Sequence, residues 1–293
     1  MDTKNSVQTL LDNLESLPTL PEVALNVLKL TSDPDSDAED LHKIISKDPS
    51  LTAKILRVAN SSFYGFRSQI STLKMAIVVL GFDETARLVR AFTFLQTFPS
   101  AQIENRFDYK DFWLHSIAVS EIIKSLALKF GFESPSEIST GGLLHDIGHL
   151  VLASYFENDF IKIIRNADEK DIRWEESEYE IMGFNHCEIG ATLAKKWNLP
   201  EKLLSMIEYH HSPEDTQDFR IEASLAYIAN RITALYGADL SNQKYRTPVD
   251  KDPVWNFLLN QSPLKTKPVI AETLEALESD VDRAKDFHSV SIQ

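Results

Sequence analysis

The chain has 293 residues, of which 43% are hydrophobic and 25% are charged, a profile typical of a globular protein with one large domain or two ordinary ones. Its formal net charge of −14 argues against nucleic acid or an anionic membrane surface as the main partner. The single cysteine excludes an internal disulfide framework and fits a reducing compartment. The polar start and the lack of a membrane-length apolar run make the cytoplasm the expected location.

The first hundred residues are predicted to form about six short helices, with no convincing strand pattern between them. An amphipathic helix is expected at 7–14, and Pro21 suits the first position of the next helix. Asp48 and Thr72 are each typical of the residue before a helix. The polar and aromatic segment at 60–66 is interpreted as a packed connector rather than a binding loop.

The remainder of the chain is also predicted to be helical. After a connector at 99–106, Asp108 should cap a long helix from about Tyr109 to Phe130, which Gly131 closes. Pro135 opens a helix that carries the stretch around His145, and further helices follow. These boundaries predict an N-terminal helical lobe at 1–100, a second helical lobe at 101–240, and a final segment at 241–293. That final segment is expected to be irregular, with an acidic C-terminal helix.

An ionisable cluster lies between apolar residues at 141–150. His145, Asp146 and His149 fall within five residues and, in a continuous helix, the two histidines would lie one turn apart. Burying unpaired charge costs free energy, so these side chains are expected to have a structural or functional role. Either the side chains cap a partly buried helix end, or partners elsewhere in the chain complete a site.

Possible partners are present, because six of the eight histidines lie between 115 and 211. A helical bundle can project such side chains inward from several helices. Imidazole and carboxylate together suit Fe, Mn, Ni or Zn, and two such ions bridged by an aspartate could activate water for phosphoester hydrolysis. Each histidine could instead be an ordinary core residue whose ring nitrogens form hydrogen bonds within the protein. Cys187 is interpreted as a packing residue, and no motif for an organic cofactor is present.

Six segments of the chain contain recognisable motifs in a fixed order: Leu17–Pro21, Ile45–Thr52, Val58–Tyr64, Ile70–Thr72, Ala76–Gly81 and Trp197–Pro200. Together these motifs resemble the HDOD family, a relative of the HD and HD-GYP metal-dependent phosphohydrolases. The resemblance covers about residues 17–236.

The resemblance implies an all-α, two-lobed bundle with an HD-like helical core in the C-terminal lobe. It also implies a metal-ligand set, with Asp111 standing where the HD-GYP branch has a further acidic ligand. The implied metal ligands are His115, His145, Asp146, His186, His210 and His211.

The sequence departs from the hydrolase pattern at three places. His149 replaces a lysine, Asn230 replaces a late aspartate, and the Gly-Tyr-Pro motif is absent after His211. A neutral asparagine cannot bridge two metal ions as a carboxylate can. The resemblance therefore implies a bacterial signal-transduction module without catalytic residues, which acts through a protein partner and not on nucleic acid or membrane. A metal-dependent phosphohydrolase that cleaves cyclic dinucleotides or nucleotides remains the alternative.

Partner binding is expected through the N-terminal lobe or the acidic C-terminal helix. The sequence does not determine the partner, the upstream signal, the identity of the metal or the oligomeric state.

Overall fold

A computed structural model describes residues 7, 11–12, 17–33, 35–61, 64, 66, 69–98, 102–103, 107–238, 240 and 247–291. The chain divides into two compact units. The first comprises Pro18–Phe98 and Asp282–Gln293, and the second comprises Met1–Leu17 and Pro99–Val281. The fold is all-α, as predicted. None of the helices in the described ranges has the length and apolarity to cross a membrane.

The first unit is organised around one buried helix. That helix packs against the four helices before it, and every residue from Thr85 to Leu95 is buried. At the start of the connector at 60–66, the Asn60 side chain forms two hydrogen bonds with the backbone of Ile70. It donates to the Ile70 carbonyl at 2.8 Å and accepts from the Ile70 amide at 2.7 Å. Residues 62, 63 and 65 lie outside the described ranges. The helices of this unit are α1 (Glu22–Thr31), α2 (Ala38–Ile45), α3 (Pro49–Ala59), α4 (Leu73–Leu80) and α5 (Phe82–Leu95).

The second unit is built on a long, largely buried helix, α6 (Tyr109–Phe130), which packs against α7 (Pro135–Leu144) and α13 (Arg220–Leu235). A two-residue antiparallel ribbon, β1 (Gln102–Ile103) with β2 (Phe107–Asp108), precedes it. The other helices of this unit are α8 (Ile147–Tyr155), α9 (Glu157–Lys170), α10 (Trp174–Met182), α11 (His186–Lys196), α12 (Glu201–Tyr209) and α14 (Pro253–Gln261). A last helix, α15 (Ile270–Ser291), contributes residues 270–281 to this unit and residues 282–291 to the first.

Local capping chemistry sets the ends of the helices that matter for the site. The Asp108 side chain accepts the Lys110 amide at the start of α6, and Gly131 ends that helix with a left-handed φ of 74°. Asn185 and Glu188 form a reciprocal capping box at the start of α11. The predicted bounds of α6 and the predicted start of α11 at His186 are confirmed.

Two parts of the chain differ from the sequence-based expectation. The helix through 141–150 is not continuous: α7 ends at Leu144, and α8 begins at Ile147. The Nδ1–H of His145 donates to the carbonyl of Gly142 at 2.7 Å and so competes with a helical backbone hydrogen bond. In addition, α14 lies in the segment that was expected to be irregular, where Asp252 caps it and Trp255 is buried.

Candidate metal centre

The carboxylate of Asp146 lies at the centre of a buried group of histidines from four other positions in the chain. Its Oδ2 is 3.2 Å from Nε2 of His145 and 3.6 Å from Nε2 of His115. Its Oδ1 is 3.3 Å from Nε2 of His186 and 3.2 Å from Nε2 of His210. The two oxygens thus face two pairs of imidazoles. We call the site around Oδ2 the first metal position and the site around Oδ1 the second metal position.

Backbone carbonyls fix the tautomers of three of these histidines. The Nδ1–H of His115 donates to Ala238, that of His145 to Gly142, and that of His210 to Ile207, at 2.7, 2.7 and 3.0 Å. Because a carbonyl only accepts, each Nδ1 must carry a hydrogen. In its neutral form each of these rings therefore offers the Nε2 lone pair to a metal ion, an arrangement common around metal-binding histidines.

Glu178 from α10 holds His186 and one further imidazole, that of His149. It is fully buried, and its Oε2 accepts the backbone N–H and the Nδ1–H of His186 at 2.8 and 2.7 Å. Its Oε1 accepts from Nε2 of His149 at 3.0 Å. The other ring nitrogen of His149, Nδ1, then faces Asp146 Oδ2 at 3.8 Å without a hydrogen bond. Glu178 therefore orients His186 and His149 together.

The donor atoms have the spacing that a metal ion requires. Tetrahedral coordination with bonds of about 2.0–2.1 Å places neighbouring ligand atoms about 3.3 Å apart. Within each pair, the Nε2 atoms are 3.3 Å apart for His115 and His145, and 3.4 Å apart for His186 and His210. The buried Oδ1 of Asp146 has no hydrogen-bond partner. The residues therefore fit a bound transition metal.

A glycine allows two of the helices that carry ligands to approach closely. A Cβ atom added at Gly148 of α8 would lie 1.9 Å from the backbone carbonyl oxygen of His186. A side chain at this position would therefore push α11 and His186 away from Asp146.

The charges in the cluster are strongly coupled. Burial would raise the pKa of Asp146, but His145 and His149 outweigh it and hold that pKa well below its ordinary value. Burial lowers the pKa of His145 to about 4. Burial also opposes the charge on His210, yet Cys187 and Asp146 raise its pKa to about 10. The second metal position therefore holds protonated imidazole when no metal is bound.

The structure brings the six predicted ligands together, although not equally. Asp146 and the four histidines around it are almost fully buried, while His211 lies at the edge with 10% of its side chain exposed. Its Nδ1 is 3.6 Å from Glu175, and its buried Nε2 has no hydrogen-bond partner. Asp111 is exposed and does not join the described cluster of candidate ligands.

Sequence reasoning missed two residues of the site, Glu178 and Cys187. Glu178 carried no signal, because the sequence does not separate it from the other three glutamates of its acidic helix. His149 was recognised as part of the ionisable cluster at 141–150 and as a departure from the hydrolase pattern, but not as one of the implied metal ligands. Cys187 was interpreted as a packing residue, but its Sγ lies 3.4 Å from Nε2 of His186. The two adjacent side chains converge at the first turn of α11.

The fold and the buried cluster agree with a match to the HDOD domain family, whose model covers residues 17–213. The chain belongs to the HDOD family. Its fold resembles that of an HDOD domain protein of unknown function from Geobacter sulfurreducens, with a TM-score of 0.85 and 25% identity over 97% of this chain and 98% of the other.

Other relatives carry different names on the same fold. One is a protein from Marinobacter aquaeolei VT8 that is assigned by name to signal transduction. It has a TM-score of 0.81 and 22% identity, and the match covers 100% of this HDOD chain and 67% of the Marinobacter chain. A protein from Shewanella amazonensis SB2B, named as a phosphohydrolase, has a TM-score of 0.74 and 25% identity over 97% of both chains. An uncharacterised protein of Treponema pallidum is 23% identical over 282 residues. That match covers 96% of this chain and 52% of the relative, so the chain spans about half of that protein.

Proposed function

We propose that this HDOD protein is a regulatory module that binds one or two transition-metal ions and acts through a protein partner, without hydrolysing phosphoesters. The burial of the ligands carries the proposal. Asp146 is 4% exposed, and His115, His145, His186 and His210 are 1% exposed or less. A catalytic metal needs an open position for water and substrate, whereas a structural metal is enclosed by its ligands.

The ligands would be shared between the two positions through the bridging carboxylate. His115 and His145 with Oδ2 of Asp146 would hold an ion at the first metal position, and His149 lies beside them. His186 and His210 with Oδ1 would hold an ion at the second. Fe, Mn, Ni and Zn suit this set of nitrogen and oxygen donors. A bound ion would supply Lewis acidity and would tie the ligand-bearing helices together.

The departures from the hydrolase pattern support the same proposal. Where the related hydrolases have a lysine that can meet phosphate, this chain has His149, whose ring is held by Glu178. Where they have a late aspartate, it has the buried Asn230. His149 is tied to Glu178 and so is not free to meet a phosphoester, and the neutral Asn230 cannot bridge to a second ion as a carboxylate can.

The proposed partner surface lies in the first unit. Two large apolar side chains three residues apart on α4, Met75 and Val78, are 50% and 69% exposed. Residues with this spacing share one face of a helix, and an exposed apolar face favours protein contact. The signal-transduction name of the Marinobacter relative agrees with such a role.

The decisive experiment is a turnover assay on protein purified without a metal-affinity tag. Metal-free protein and protein loaded with Fe, Mn, Ni or Zn would be tested against cyclic dinucleotides, nucleotides and an aryl phosphate. We expect no turnover above that of His145→Ala, which loses a central ligand. Metal-dependent turnover at enzyme-like rates that this variant abolishes would overturn the proposal.

One observation favours the alternative, a metal-dependent phosphohydrolase. His211 lines a cavity of about 480 Å³ that is also bordered by Arg220 and Ser224, and the Ser224 hydroxyl is buried without a hydrogen-bond partner. A phosphoester in this cavity would approach the second metal position from the side of His211. The name of the Shewanella relative points the same way. The same assay separates the two functions.

A further inference from the structure

The geometry points to Cys187 as a thiolate ligand that closes the second metal position. This inference rests on the proposed binding of metal and specifies the class of ion. With Asp146, His186 and His210, the cysteine would complete a four-donor set of one oxygen, two nitrogens and one sulfur. Four protein donors at one tetrahedral ion leave no position for water, which explains how this HDOD protein could retain a metal site and yet lack turnover.

The distances around the sulfur fit such a set. With bonds of about 2.3 Å to sulfur and about 2.0–2.1 Å to nitrogen, a tetrahedral ion places its sulfur and nitrogen ligands about 3.5 Å apart. The Sγ of Cys187 is 3.4 Å from Nε2 of His186 and 3.9 Å from Nε2 of His210. Three further edges, which join the two imidazoles and Asp146 Oδ1 to one another, are 3.2–3.4 Å.

Buried polar atoms without hydrogen-bond partners at the second metal position are independent evidence that an ion binds there. Oδ1 of Asp146 and Nε2 of His211 are both buried without a hydrogen bond. One donor atom from each of Cys187, His186, His210 and His211 lies within 4.8 Å of the others. Cys187 itself is 2% exposed, so its sulfur lies inside the same buried cluster.

A sulfur ligand determines which ions the position prefers. Thiolate is a soft ligand that favours Zn²⁺, Co²⁺ or Fe²⁺, whereas carboxylate and water suit Mn²⁺ and Mg²⁺. The thiol must lose its proton to bind, and that proton passes to solvent. We therefore expect the second metal position to select Zn²⁺ over Mn²⁺ and the selectivity to depend on Cys187.

Cobalt substitution tests the inference directly. The full chain, freed of metal, is titrated with Co²⁺ and followed by absorption spectroscopy, with Cys187→Ser as the variant. We expect the native protein to show a thiolate-to-cobalt charge-transfer band in the near ultraviolet. The variant should lose this band but keep the d–d bands of cobalt held by histidine. Because the chain has a single cysteine, such a band has one possible source.

A second measurement avoids any dependence on the folding of the variant. X-ray absorption at the zinc edge of the native Zn²⁺-loaded protein should show one sulfur at about 2.3 Å. Cobalt or zinc bound without a sulfur signature would overturn the assignment of Cys187 and leave the proposed metal-binding module standing. Failure of the native protein to bind either ion would overturn both.

Discussion

At the scale of single residues, Glu178 supports two of the imidazoles at the site from behind. It binds two nitrogens of His186 and one of His149, and it is completely buried. Burial would raise its pKa, but His186 and His149 lower that pKa below its ordinary value, so it is a carboxylate in the folded protein. It positions the imidazoles without facing the proposed ions.

Replacing Glu178 should therefore weaken metal binding without removing a ligand. Glu178→Gln keeps the size of the side chain but turns one acceptor into a donor that faces an imidazole N–H. We expect the affinity for Zn²⁺ to fall about 10- to 100-fold, as is usual for such supporting groups, by competition with a fluorescent chelator. Glu180→Gln, on the same helix but bound to Lys170 at the surface, is the control and should bind as the native protein does. Equal affinities in both variants would contradict the role of Glu178.

The protonation of His210 predicts how metal affinity depends on pH. Its pKa of about 10 in the metal-free protein means that it carries a proton at pH 7.5, whereas a ligand must be neutral. Metal binding must therefore release protons, and affinity should rise as pH rises towards that pKa. His145, with a pKa of about 4, contributes no proton in this range. Calorimetry in two buffers with different ionisation enthalpies measures the release, and a value of zero at pH 7.5 would rule this account out.

At the scale of elements, the site depends on one helix break and one close helix contact. The break between α7 and α8 places the adjacent residues His145 and Asp146 in the same cluster, which a continuous helix would not do. The contact between α8 and α11 brings His186 to Asp146, and it exists because Gly148 has no side chain.

Two glycine substitutions distinguish this contact from ordinary packing. In Gly148→Ala the new methyl group meets the His186 backbone, which cannot move without moving α11. We expect a loss of about 3 kcal/mol in the free energy of unfolding, at the upper end for overpacking, together with a loss of metal affinity. In Gly141→Ala, the control, the methyl group meets the flexible side chain of Met206, and we expect a loss below about 1 kcal/mol. Urea unfolding checks both values, and similar losses in the two variants would contradict the argument.

At the scale of the whole molecule, the metal centre joins distant parts of the chain. Its candidate ligands lie on or beside α6, α7, α8, α11 and α12, from His115 to His211. Metal ions that bind only the folded state stabilise it by mass action. The second unit should therefore gain stability from metal, because all of these helices belong to it.

Metal removal should lower the thermal midpoint of unfolding. At a free metal concentration 100 times the dissociation constant, the expected stabilisation is about 2.7 kcal/mol per bound ion. His145→Ala should abolish most of this gain, while His42→Ala in α2 of the first unit should keep it. Differential scanning calorimetry with and without a chelator measures the effect. A midpoint unaffected by chelation in the native protein would exclude a metal that supports the fold.

The sequence by itself determined the helices and the chemical types at the site. Caps such as Asp108 and Asn185 act on amides two or three residues away, so the bounds of α6 and the start of α11 follow from local chemistry. The motifs also indicated the family. That resemblance led to the expectation that His145 and Asp146 meet histidines from later helices.

Only the tertiary structure decided which side chains reach the site. Glu178 and Cys187 looked like surface and packing residues because no local rule tells which way a side chain points once helices pack. The break at His145 arises from a side-chain hydrogen bond that competes with the helix, and the approach of His186 depends on the absence of a side chain at Gly148. The burial of Glu178 and Cys187 and the approach of His186 depend on contacts between residues far apart in the chain, which form only when the helices pack. The break, by contrast, depends on a hydrogen bond between residues three apart.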